Sequence, residues 1–241
     1  MLPPRLRPAH HRTRETSAAA PRRPARARSP RLRLLGVALA LGVILTACAS
    51  GATQPSPTEE PAEDAIRMAA VGDSITDANS PDLPAGEVGT KSWVGYAVGP
   101  QVRFVGGWAV WGASTEQMAS ETPALEADVL VILAGTNDAG RMPHEQIGSN
   151  LARIAEVAGV EEVVLSSVPP IDSAPEAATE LNEFLRGFAA DQGWTWVDAA
   201  AGLRAGDRFA EGMADDGVHP TAAGAEVLGE AIGAAVLEAG S

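Results

Sequence analysis

Residues 128–138 read DVLVILAGTND. After Asp128 the run is apolar without interruption from Val129 to Ala134, then stops at Gly135 and turns polar. A strand wetted on one face alternates apolar and polar residues, whereas a strand covered on both faces does not. This stretch therefore predicts a buried strand of a parallel sheet. Working outward, residues 162–168 (EVVLSSV) repeat the pattern and end at Pro169-Pro170, which stops a strand. Residues 66–71 (IRMAAV) end at Gly72-Asp73-Ser74. Residues 102–110 are rich in Val, Phe and Trp, and 194–197 (WTWV) is the shortest of five strand candidates. Helical segments lie between them. Residues 92–98 carry Trp93 and Tyr96, and 116–120 make a short turn of helix. Residues 143–157 start at Pro143 and space Ile147, Leu151, Ile154 and Val157 on one helical face. Residues 175–190 do the same with Ala178, Leu181, Leu185 and Phe188, and 222–237 with Val227, Leu228, Ile232 and Val236. Strands alternating with helices imply right-handed crossovers. The expected class is α/β, a three-layer α/β/α domain around about five parallel strands.

The chain has 241 residues, 45% hydrophobic and 20% charged, which is enough for one packed domain plus extra segments. Its formal charge of -13 is unevenly spread. Residues 1–33 hold 10 of the 18 basic residues and one of the 31 acids, leaving 8 and 30, a net of -22, for everything after. Nucleic-acid binding needs clustered cations, so no nucleic-acid partner is expected. A single Cys excludes an internal disulfide framework and a Cys-based zinc site. Residues 34–47 (LLGVALALGVILTA) form an uncharged apolar run of 14, short of the ~20 a bilayer span needs and suited to a signal-peptide core behind a basic segment. Leu45-Thr46-Ala47-Cys48 resembles the lipobox of bacterial lipoproteins, which implies lipidation of Cys48. Residues 49–64 are rich in Pro, Ser, Thr and Glu and have no apolar pattern, as a flexible linker does. The expected organisation is a signal peptide with a long basic n-region over 1–47, a lipidated Cys and linker over 48–64, and a folded domain over 65–241. The expected location is the outer face of a bacterial cytoplasmic membrane, or secreted, with the membrane as a partner through Cys48 and the domain monomeric.

Sites in parallel sheets form beyond the carboxyl ends of strands. Four polar motifs fall at such places: Gly72-Asp73-Ser74-Ile75-Thr76, Gly112-Ala113-Ser114, Gly135-Thr136-Asn137-Asp138 and Asp216-Gly217-Val218-His219-Pro220. A Ser hydroxyl is a weak nucleophile that needs a neighbouring base. After the leader only His144 and His219 are present, and His219 has Asp216 three residues earlier, where a turn can fold the carboxylate onto one ring nitrogen. The other nitrogen then faces the Ser. A tetrahedral oxyanion needs fixed donors, which the amides of Ser74 and Gly112 and the side chain of Asn137 can supply. Gly at 112 lets the backbone come close, for want of a Cβ.

Taken together and in this order, the four motifs resemble those of the SGNH (GDSL) hydrolases, with GDSIT, GTND about sixty residues on, and Asp-x-x-His-Pro before the last helix. The resemblance spans residues 72–220. It implies Ser74 as nucleophile, His219 as base and acid, Asp216 as its orienter, and Ser74, Gly112 and Asn137 as the oxyanion hole. It also implies a flavodoxin-like sheet of five parallel strands and a serine esterase acting on small-molecule or glycan acyl esters, without cofactor or metal. A compact domain with no long insertion favours short acyl groups, such as acetyl on an envelope polysaccharide. Lysophospholipase, thioesterase or acyltransferase chemistry uses the same residues, and a non-catalytic glycan-binding lipoprotein is the alternative of another class. Around Ser74 there is no Gly-x-Ser-x-Gly elbow, and the chain has no phosphate-binding Gly-x-x-x-x-Gly-Lys loop. Of the remaining polar residues, Asp73 and Asp138 are expected to fix loops and Ser114 and Thr115 to open a helix. Asp215 is taken as solvated, His144 as exposed, and the Trp residues at 93, 108, 111, 194 and 196 as core or rim packing.

Overall fold

The computed structural model describes residues 60–241. The expected signal peptide, Cys48 and most of the expected linker lie outside the described residues. Five parallel strands, β1 (Ile66–Gly72), β2 (Val102–Ala109), β3 (Val129–Leu133), β4 (Glu162–Ser166) and β5 (Thr195–Val197), make one sheet in the order β2-β1-β3-β4-β5. The helices are α1 (Ser74–Asp77), α2 (Val94–Ala97), α3 (Thr115–Glu121), α4 (His144–Ala158), α5 (Pro175–Gln192) and α6 (Ala222–Ala239). This is the expected three-layer arrangement.

The unbroken apolar run of β3 explains the layers. All five of its residues are fully buried. Successive side chains point to opposite faces. Leu130 and Ile132 join a core with Ile147, Leu151 and Ile154 of α4 and Leu181 and Leu185 of α5. Val129, Val131 and Leu133 join a second core with Trp93, Val94 of α2, and Leu228, Ile232 and Val236 of α6. Each fully buried aliphatic side chain removes enough apolar surface from water to stabilise the fold by about 1.5–3 kcal/mol, so both helix layers are held by the sheet they cover.

Chain order places the site. From β1 the chain goes to β2 on one side, then crosses back to β3 on the other. The crevice beyond the carboxyl ends of β1 and β3 is the switch point of such a sheet. Both the Gly72-Asp73-Ser74 turn and the Gly135-Thr136-Asn137-Asp138 turn open there.

Two features lie outside the sequence expectations. Residues expected to belong to the linker already bond to the domain, since the Ala62 amide donates to the Pro100 carbonyl at 2.9 Å. A two-stranded antiparallel ribbon, β6 (Arg204–Ala205) and β7 (Arg208–Phe209), follows β5. Strands of two residues carry no apolar period to read. Among the described residues no helix is long and apolar enough to cross a membrane.

Candidate active site

The turn after β1 is built around Asp73, which is fully buried and caps α1 by accepting the Ile75 amide at 3.0 Å. Capping by Asp73 leaves the hydroxyl of Ser74 free. Ser74 is the first residue of α1, so its amide has no partner inside the helix. Thr76 behind it accepts from the indole N–H of buried Trp93 at 3.0 Å, and the Ser92 hydroxyl donates to its carbonyl at 2.6 Å. These bonds tie the turn to the second core.

His219 arrives from the loop before α6, which is closed on itself. The Asp215 amide donates to the His219 carbonyl at 2.9 Å, and the Thr221 amide to the Met213 carbonyl at 3.0 Å. Asp216 folds back as the three-residue spacing predicts. Its Oδ1 accepts the amides of Val218 and His219 at 3.0 and 2.8 Å, and its Oδ2 lies 2.8 Å from His219 Nδ1. With Nδ1 donating to Asp216, the lone pair of Nε2 faces the Ser74 hydroxyl at 2.9 Å. An unbroken chain Asp216–His219–Ser74 thus joins residues 145 positions apart. Hydrogen bonds from the His219 backbone and ring hold the Asp216 carboxyl down at about 2, so it is ionised at any working pH.

Asn137 is half-buried, and its side-chain amide donates to the Ala113 carbonyl at 3.0 Å and to Asp73 Oδ2 at 3.2 Å. One side chain thereby links the second, third and first motifs. Burial pushes the Asp73 carboxyl up to about 6. Asp138 is also buried and raised for the same reason; it accepts the Thr115 amide at 3.0 Å and joins the third motif to the start of α3.

Gly112 has no protein atom within 4 Å of where a Cβ would stand. Its φ is +73°, a left-handed conformation that side-chain-bearing residues adopt with strain. The neighbouring Gly107 belongs to the sheet instead, where a Cβ would stand 1.9 Å from the Ala70 carbonyl, beside an irregularity in the β1–β2 register.

Four further residues that no motif marks meet the site: Trp111, Asp77, Asp215 and Lys91. Trp111 does more than pack at the rim. It is 49% exposed, stacks on the His219 ring at a centroid distance of 5.0 Å and an interplanar angle of 29°, and donates its indole N–H to Asp77 Oδ1 at 2.6 Å. Asp77 stands three residues after Ser74, one helical turn along the same face, and that spacing was the available signal. Asp215 is not simply solvated: it pairs with Lys91, the only lysine of the chain, at 2.6 Å. His144 is partly buried against Phe184 rather than exposed.

A cleft of about 190 Å³ is lined by Ser74, His219, Ile75, Ala78, Trp111 and Lys91, among others. A larger one, about 440 Å³, lies between α5 and the β6–β7 ribbon and holds none of the groups just described.

Fold and site together define a serine-hydrolase-like α/β enzyme. The profile of the GDSL-like lipase/acylhydrolase family matches residues 70–227, which include all four motifs, and the chain belongs to that family. It is a hydrolase of the acyl-ester class. A comparison with curated proteins gives no match. Among solved structures, a GDSL-like lipase from Bacteroides thetaiotaomicron is 22% identical, with a TM-score of 0.56 over 75% of this chain and 92% of its own. A member of the lipolytic G-D-S-L family from Veillonella parvula is 22% identical, with a TM-score of 0.54 over 72% and 97%. A catalytic mutant of an acetylxylan esterase from Geobacillus stearothermophilus is 19% identical, with a TM-score of 0.55 over 71% and 94%. All three share the fold.

Proposed function

We propose that the protein is an envelope-tethered serine esterase that removes short acyl groups, with acetylated glycan as the substrate class. The observation that carries the reading is the hydrogen-bond chain from Asp216 through His219 to Ser74. Ser74 Oγ attacks the ester carbonyl carbon while its proton passes to His219 Nε2. Negative charge collects on the carbonyl oxygen, which takes hydrogen bonds from the amides of Ser74 and Gly112 and from Asn137, one N–H of which turns to it from Ala113 or Asp73. Collapse breaks the bond to the alcohol oxygen, which takes the proton from Nε2 and leaves. Water then attacks the acyl-Ser74, gives a proton to Nε2, and the acid departs as Ser74 regains its hydrogen. Asp216 stays ionised and holds the imidazole in the tautomer this requires.

A compact domain without a long insertion supports the short acyl group, and the acetylxylan esterase sharing the fold supports the glycan. The apolar run over 34–47 and Cys48 support a lipid tether. The full chain should turn over p-nitrophenyl acetate and lose rate steadily from acetate to dodecanoate. Ser74→Ala should abolish turnover and labelling by a fluorophosphonate. Wild-type rates in Ser74→Ala, or rates that rise with chain length, would end the proposal. Palmitate labelling that persists in Cys48→Ser would remove the tether.

A further inference from the structure

Trp111 has the highest fractional exposure of the large apolar side chains exposed among the described residues, and it stands at the mouth of the cleft holding Ser74 and His219. An indole left in water beside a reactive hydroxyl is a surface the fold has not used. It is not loose. Its N–H is held by Asp77 at 2.6 Å and one region of the ring system lies against His219, so its plane is set before anything binds. A prearranged aromatic plane binds without the cost of ordering a side chain.

The chemistry says what comes to that plane. His219 Nε2 returns its proton to the departing alcohol oxygen, so that oxygen must stand within hydrogen-bond reach of Nε2. Whatever is attached to the oxygen then lies beside the ring that stacks on His219. The acyl group is on the other side of the carbonyl carbon. Around the indole the cleft is mixed, with apolar Ile75, Ala78 and Pro220 and polar Asn79 and the Lys91–Asp215 pair. A pyranose fits this combination, because its C–H face suits an aromatic plane and its hydroxyls suit amide, ammonium and carboxylate. An alkyl chain would use the indole and the apolar residues but would remove Lys91 and Asp215 from water without returning a hydrogen bond. A net charge of -22 after residue 33 also disfavours an anionic alcohol.

We infer that Trp111, oriented by Asp77, is the stacking platform of the leaving-alcohol subsite, and that the alcohol it accepts is an uncharged pyranose ring carrying the ester. The inference rests on the short-acyl esterase reading above, and names the other half of its substrate.

Two acetates with a common acyl group separate the subsite from the catalytic groups: ethyl acetate, and a methyl pyranoside acetylated at one hydroxyl. Wild type should show a higher kcat/KM for the pyranoside. Trp111→Ala also strips a contact from His219, but that loss is common to both esters and cancels in their ratio. The ratio should fall about three- to tenfold in Trp111→Ala, the range of an aromatic stack, and by less in Trp111→Phe, which keeps a smaller plane. Asp77→Ala, which takes away the acceptor, should lower it in wild type and leave it unchanged in Trp111→Phe, which has no indole N–H to hold. A ratio unmoved by Trp111→Ala overturns the platform while the esterase reading stands. Additive effects of Asp77→Ala and Trp111→Phe overturn the role of Asp77. Faster hydrolysis of lysophosphatidylcholine than of the pyranoside in wild type overturns the sugar. Turnover of neither acetate instead overturns the esterase reading itself.

Discussion

Replacing Asp73 by Asn should change how stability depends on pH, by an amount that follows from burial. Asp73 is fully buried, and its carboxyl receives two hydrogen bonds, from the Ile75 amide and from Asn137. Loss of hydration outweighs those bonds and the attraction of His219, and neighbouring Asp138 adds repulsion, so its pKa rises from the ordinary 3.8 to about 6. The sign follows from linkage. Below pH 3.8 the carboxyl is neutral in both folded and unfolded chains. Between 3.8 and about 6 the unfolded chain loses the proton and the folded one keeps it, so the fold loses stability as pH rises. Above about 6 both are ionised and the loss is complete, at roughly 3 kcal/mol for this gap at 1.36 kcal/mol per pH unit. Asn cannot ionise, so Asp73→Asn carries no such slope, while its carbonyl still accepts the Ile75 amide. Urea unfolding of both proteins from pH 3 to pH 8 gives the assay. Groups that do not feel the Asp73 charge titrate alike in the two chains and drop out of the difference, and His219 and Asp138 contribute only through their smaller coupling to it. Asp73→Asn should gain about 3 kcal/mol relative to wild type between the ends of that range, with the gain confined to pH 4–6. A difference that is flat with pH, or that moves the other way, would refute the claim that desolvation governs this carboxyl.

The other expectations concern the same turns. Asn137→Ala should lower kcat on p-nitrophenyl acetate by on the order of 10²–10³ if the amide serves the oxyanion, and a twofold loss would remove it from that role. Gly112→Ala should lower stability by about 1–2 kcal/mol in a urea titration, because its φ of +73° is the left-handed region and not because of crowding; no loss would contradict that backbone. Asp216, held at about 2, contributes stability that is present above pH 3.8 and is lost as pH falls through 2. Asp216→Asn should therefore lack the wild-type loss of stability between pH 4 and 2 in a urea titration, and lose activity from pH 5 to 8. Wild-type kcat in the variant would detach the carboxylate from catalysis.

What the sequence determined by itself was local in origin. The uninterrupted run from Val129 to Ala134 required cover on both faces, and β3 does feed two cores. The apolar spacing of Ile147, Leu151 and Ile154 marked a helix because the pattern has the period of the helix itself. Asp216 and His219, three residues apart, already held the turn that joins them. Strand order, by contrast, is a contest among packings, and no stretch of chain states that β1 lies between β2 and β3. The same holds for Trp111 against His219, Lys91 against Asp215, and Asn137 against Asp73. Each pairs residues tens of positions or more apart whose types suit many partners, so only the packed sheet decides which they meet. Burial decides likewise for Asp73: its sequence neighbours specify a capping residue, and it is the surrounding layers that take its carboxyl out of water and lift its pKa.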